Sequence, residues 1–258
     1  GIITVGLAAI VLPLIEGRAQ GWPRWTWACL AVSPVILTIF AAHQRRVRAA
    51  GGDPLLDPAL FRERAFTAGL LTTLSFFASM SSFFLVLALY LQPGRGLDAL
   101  QAGLVFTILA VAYLASSMRA PELAARYGRR TPAVGGLVLA AGHATLALSV
   151  HALGSGGDVL LLSPGLLLVG AGMGLVLTPL TTTVLSSLPA ERAGAASGAL
   201  STMQNVGSAL GVALIGVVFF NAVHTGYAHA FVLSACVLAG FALLLAVLTR
   251  LLPTPERG

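Results

Sequence analysis

Eight stretches of this chain are apolar over roughly the length needed to cross a bilayer, and that feature limits its fold more than any other. They cover residues 1–16, 25–42, 65–91, 100–121, 131–152, 159–188, 194–220 and 229–252. A helix needs roughly 20 residues to span about 30 Å of hydrocarbon. Lipid offers the backbone no hydrogen bonds, so only helices and closed barrels can cross it. None of the runs alternates apolar and polar residues as a barrel strand does. Composition agrees: with 57% hydrophobic and 9% charged residues among 258, there is too little polar surface to cover a soluble globule. The predicted fold is an all-α polytopic membrane helix bundle. Gly and Pro in runs such as "SPGLLLVGAGMGLVLTP" do not oppose it, because neighbouring helices satisfy the backbone there.

The formal charge is +6, every one of the fifteen Lys or Arg residues is arginine, and they fall in the gaps between runs or, as with Arg119 and Arg250, close to a run's end. Their placement argues for orientation in a membrane rather than for nucleic acid. Arg45, Arg46, Arg48, Arg62, Arg64, Arg119, Arg126, Arg129, Arg130, Arg192, Arg250 and Arg257 share one side, twelve of the fifteen; Arg18, Arg24 and Arg95, the last offset by Asp98, lie on the other. By the positive-inside rule the arginine-rich side and the C-terminus are cytoplasmic, and Trp22, Trp25 and Trp27 suit the outer headgroup zone. The first run is short, starts on Gly rather than Met and lacks the features of a secretory signal, so the chain is expected to be cut from a longer one.

No enzymatic chemistry is legible. Cys29 and Cys236 lie far apart in apolar runs, no His/Asp/Glu cluster has metal-ligand spacing, and neither a phosphate-cradling Gly-Lys loop nor a nucleophile elbow occurs. Neither a metal nor a cofactor is expected. Glu16, Asp98, Glu122, Asp158 and Glu191 all lie at run ends or in gaps. The one histidine deep in a run is His143, expected to be a hydrogen-bonded structural histidine.

The long gap at 43–64 separates two runs from six. The six fall into two triplets, whose second helices start with Gln101-Ala102-Gly103 and Arg192-Ala193-Gly194 on opposite sides, as an inverted repeat requires. In "ERAGAASGALSTMQNVGSALG", Gly194, Gly198 and Thr202, and then Gly207 and Gly211, recur four apart, so backbones can approach closely there; Gln204 and Asn205 are expected to glue helices together.

These features resemble the major facilitator superfamily, in particular its fourteen-helix drug/proton antiporters of the EmrB/QacA type. "PELAARYGRR" is similar to the superfamily's loop motif Gly-x-Leu-Ala-Asp-Arg-x-Gly-Arg-Arg, with Leu123, Ala124, Arg126, Gly128, Arg129 and Arg130 in matching positions. Pro121 replaces the first Gly and Ala125 replaces the Asp. "EGRAQGWPRWTW", "DPLLDPALFRERAFTAG" and "PAERAGAASGALSTMQNVGSALG" resemble the linker-pair loop, the entry to the second half and its fifth helix.

The resemblance implies a carboxyl-terminal portion: a linker hairpin over 1–42, a cytoplasmic linker over 43–64, a six-helix half over 65–252 and a tail over 253–258. It implies proton-coupled efflux of small amphipathic molecules across a bacterial inner membrane, with an amino-terminal half as partner that carries the proton-binding acid. The alternative is a half with a purely structural role. First and fourth helices would line the cavity, through Ser75, Phe76, Phe77, Ser79, Ser82, Phe83 and Phe84, and through Thr178, Thr181, Thr182 and Thr183. Gly194, Gly198, Thr202, Gln204, Asn205, Gly207 and Gly211 would pack against the other half, and the third helix, with His143, would face lipid.

Overall fold

The structure, a computed structural model, describes residues 23–26, 28–29, 31–32, 35–36, 38–39, 64–128, 130–186 and 193–249. The expected run at 1–16 and all of the expected linker at 43–64 but its last residue lie outside the described residues. Within the expected run at 25–42, the described positions are helical.

Six helices long and apolar enough to cross a membrane follow. We number them α1 (Arg64–Leu89), α2 (Ala99–Tyr127), α3 (Arg130–Leu153), α4 (Ser163–Ser186), α5 (Ala193–Ala222) and α6 (Tyr227–Leu248). Local chemistry sets their ends. Pro93 has no N–H to offer the carbonyl of Leu89, and α1 widens into a π turn over Tyr90–Gly94. Asp98 then starts α2 through a reciprocal capping box: its carboxylate accepts the Gln101 N–H at 2.8 Å, and the Gln101 side chain accepts the Asp98 N–H at 3.1 Å. Asp158 caps the 3-10 turn Val159–Leu162 through its carboxylate alone, accepting the Leu160 N–H at 2.9 Å. Asp98 is thus a helix cap, and Arg95 turns instead to the Tyr90 hydroxyl and the Gly157 carbonyl.

Strict alternation of direction can be read from which residues meet. Gly207 and Gly211 of α5 face Leu74 and Ala78 of α1, so both numbers rise together and the helices run parallel. The same holds for Gly170 and Gly174 of α4 against Leu109 and Tyr113 of α2. Gly142 and Gly165, by contrast, meet Val169 and Leu146, so α3 and α4 are antiparallel. Tyr90 at the end of α1 stacks on Phe231 near the start of α6, with ring centroids 4.9 Å apart, and bonds Gly154 just past α3. Therefore α1, α3 and α5 run one way and α2, α4 and α6 the other.

The principal pairings are α1 with α5, α2 with α4, α3 with α4, and α3 with α6. Exchanging the two triplets turns the α1–α5 contact into the α4–α2 contact, which is the symmetry of an inverted repeat. The chemistry of the two contacts is not exchanged. Glycines of the fifth helix make the first, and glycines of the fourth, Gly170 and Gly174, make the second. Between α3 and α4 the glycines interdigitate, Gly135 and Gly142 on one helix with Gly165 and Gly172 on the other. With lipid as apolar as any side chain, backbone approach of this kind is what holds membrane helices together.

Candidate functional site

The seven α1 residues expected to line a cavity differ in burial. Phe76 and Phe83, seven apart, are buried in the bundle with Ser79 and Ser82. Ser82 donates to the Ala78 carbonyl one turn back at 2.6 Å. Phe77 and Phe84, also seven apart but one helical step of about 100° further round, are only partly buried, as is Ser75. Phe76, Ser79, Ser82 and Phe83 are therefore core residues in this bundle, while Ser75, Phe77 and Phe84 reach its surface. Phe84 also meets Phe106 of α2 at 5.7 Å. On α4, Thr178 is half-buried, whereas the side chains of Thr181, Thr182 and Thr183 lie outside the described residues.

His143 is hydrogen-bonded, as expected, but it does not face lipid. It is fully buried, with Nδ1 2.8 Å from the Leu139 carbonyl and its ring edge-on to Phe83 of α1 at 5.1 Å. A carbonyl only accepts, so Nδ1 carries the proton and Nε2 presents its lone pair.

The arginine-bearing motif is mostly helix rather than loop. Leu123, Ala124 and Arg126 belong to the last turns of α2, and Arg130 begins α3. The apolar run ends near residue 121, but a helix rich in Ala, Glu and Arg continues past the hydrocarbon edge. Gly128 makes the turn, with φ +56° and ψ −133°, a conformation open to glycine alone at low cost. Its N–H bonds the Ala124 carbonyl at 2.7 Å, its carbonyl accepts the Thr131 N–H, and the Thr131 hydroxyl bonds the Leu123 carbonyl at 2.9 Å. Arg126 lies over the Tyr127 ring at 5.3 Å. Arg129 lies outside the described residues.

On α5, the glycines expected to pack against another half separate likewise. Gly207 and Gly211 are buried against α1 within this bundle: a Cβ on Gly207 would stand 2.5 Å from the Leu74 carbonyl oxygen. Gly198 has open space around it, and Asn205 is exposed, its side-chain N–H donating to the Ser201 carbonyl at 2.9 Å. Thr202 and Gln204 are half-buried, and the surroundings of Gly194 are outside what the structure describes. Two features had no signal in the sequence: Ser81 of α1 donates to Ser208 of α5 at 2.9 Å, and Tyr90 donates to Gly154 at 2.7 Å.

The outer faces of the bundle are unequal. The most apolar stretch of α2 is only 17% buried, against 50% for α1, α3 and α4. Leu100, Leu104, Val111, Leu114 and Met118 form a single uncovered row along it. Among the described residues, no group of His, Cys, Asp and Glu could hold a metal ion.

Residues 2–212 match the profile of the Major Facilitator Superfamily. The chain belongs to that superfamily. The six apolar helices among its described residues form the all-α bundle of a major facilitator half, an integral membrane protein of a transporter family and not of an enzyme family. The chain is 33% identical over 221 residues to a probable actinorhodin transporter of Streptomyces coelicolor, covering 85% of this chain and 38% of that one. It is 32% identical to the multidrug resistance protein Stp of Mycobacterium tuberculosis, over 83% and 39% of the two chains. With the methylenomycin A resistance protein of Streptomyces coelicolor it shares 30% identity, over 98% and 52%. The chain thus spans about half or less of the length of these curated relatives.

Proposed function

We propose that this chain is the carboxyl-terminal half of a fourteen-helix, proton-coupled exporter of small amphipathic molecules, working by alternating access in a bacterial inner membrane with its C-terminus inside. The observation that carries this reading is the uncovered apolar row of α2, in a superfamily member whose relatives are named for antibiotic and multidrug resistance. Together with Gly198 and Asn205 on α5, that row offers an amino-terminal half a surface to move against. Between the halves, Ser75, Phe77, Phe84 and Thr178 would contribute aromatic faces and scattered hydroxyls, suited to amphipathic substrates that bind by shape.

The proton site is proposed to lie in the other half. Asp98 and Asp158 are occupied as helix caps, and Glu122 is exposed at the end of α2. Efflux of a fluorescent cation from cells expressing the full gene tests the reading. Dye accumulation unchanged across a broad panel of compounds would sink it.

A further inference from the structure

Where the end of α2 meets the start of α3 over α4, the bundle leaves an apolar recess of about 310 Å³ lined by Leu123, Tyr127, Arg130, Thr131, Val134 and Leu175. Its size is at the lower end of small-molecule sites, about 300–1,000 Å³. We propose that it holds an anionic phospholipid of the cytoplasmic leaflet, with the upper acyl chain in the recess and the phosphate on the arginines around it. The leaflet assignment rests on the orientation proposed above.

Three observations select this occupant. The first is charge. Arg119, Arg126 and Arg130 are all exposed, and Arg119 shares one helical row with Leu123 and Tyr127. Among the described residues none of the three has a carboxylate partner; Glu122 is the one acid between positions 119 and 131. Basic pockets between transmembrane helices on the cytoplasmic side take anionic headgroups.

The second is depth. Counting from Ala99, about 20 residues of α2 span the hydrocarbon, which brings Arg119 to its inner edge and the recess to the headgroup boundary. The third is direction. Arg130 and Val134 begin the exposed row that continues through Leu137, Ala141, Ala144 and Leu148 along α3, a row left uncovered among the described residues. A neighbouring polypeptide could fill the cavity, but it would have to bring acids for the arginines.

Native mass spectrometry of the full chain, released from nanodiscs of mixed phosphatidylglycerol and phosphatidylcholine, tests the proposal. Wild-type protein is expected to retain phosphatidylglycerol preferentially, falling about fivefold for each arginine removed in Arg126→Gln and Arg130→Gln. Val134→Trp, which fills the recess and keeps every arginine, is expected to abolish the preference. Equal retention of the two lipids by wild-type protein overturns the proposal, a result that needs no variant to fold. So does a preference that survives Val134→Trp, which would reduce the arginines to a diffuse surface charge. A photo-crosslinker at position 134 that captures polypeptide instead of lipid would assign the recess to the other half. Efflux plays no part in these readouts, so failure of the transport reading leaves them intact.

Discussion

Gly211 of α5 lies so close to Ala78 of α1 that a Cβ placed on it would stand 2.5 Å from the Ala78 Cα. Backbone meets backbone there, with no flexible side chain to yield. Gly211→Ala is therefore expected to force α1 and α5 apart, at a cost of about 1–3 kcal/mol. Gly198→Ala on the same helix meets nothing within 4 Å in this bundle. Thermal unfolding in detergent of the two variants checks this; equal melting temperatures would contradict the packing described.

Tyr90→Phe removes the hydroxyl that donates to Gly154 and accepts from Arg95. The buried ring can keep its place on Phe231, so the variant isolates the polar clasp. A loss of about 1 kcal/mol is expected, seen as a lower melting temperature with unchanged helix content by circular dichroism.

Gly128→Ala puts a Cβ on a residue at φ +56° and ψ −133°. The expected penalty is about 1–3 kcal/mol of local strain, concentrated at the α2–α3 turn. Hydrogen exchange should quicken around residues 123–131 and stay as it is near Tyr90. Uniform exchange across the bundle would count against the turn as the strained element.

His143→Leu removes one bond to a carbonyl of its own helix and a lone pair that has no partner among the described residues. The change is expected to alter stability by less than about 1 kcal/mol and to leave the pH profile of the proposed efflux as it was. A flattened pH profile would make His143 a proton carrier.

Orientation can be tested with single cysteines at Ser155 and Ala125, both exposed and at opposite ends of the bundle, after replacing Cys29 and Cys236. An impermeant maleimide should label position 155 on intact cells and position 125 only after permeabilisation. Labelling of both from outside would remove the assignment of the arginines to the cytoplasmic side.

Part of the site was legible beforehand. The resemblance to the superfamily's loop motif marked Gly128 with arginines on both sides of it, and the positive φ there is a conformation that glycine takes at low cost. That Leu123, Ala124 and Arg126 are helical was hidden, since the apolar run ends before the helix does. For Gly207 and Gly211 the close approach was readable, but not the partner: a glycine shows that something comes near and says nothing of whether it is α1 or another half.

The sequence by itself determined six described spans, their alternating course and the concentration of arginine at one end, since hydrocarbon thickness and the cost of charge in lipid act on each segment alone. Only the tertiary structure decided which face of each helix looks inward. In water a polar face would have announced it, but lipid and protein core are equally apolar. Phe76 and Phe83 therefore read the same as Phe77 and Phe84 until α1 is packed against its neighbours.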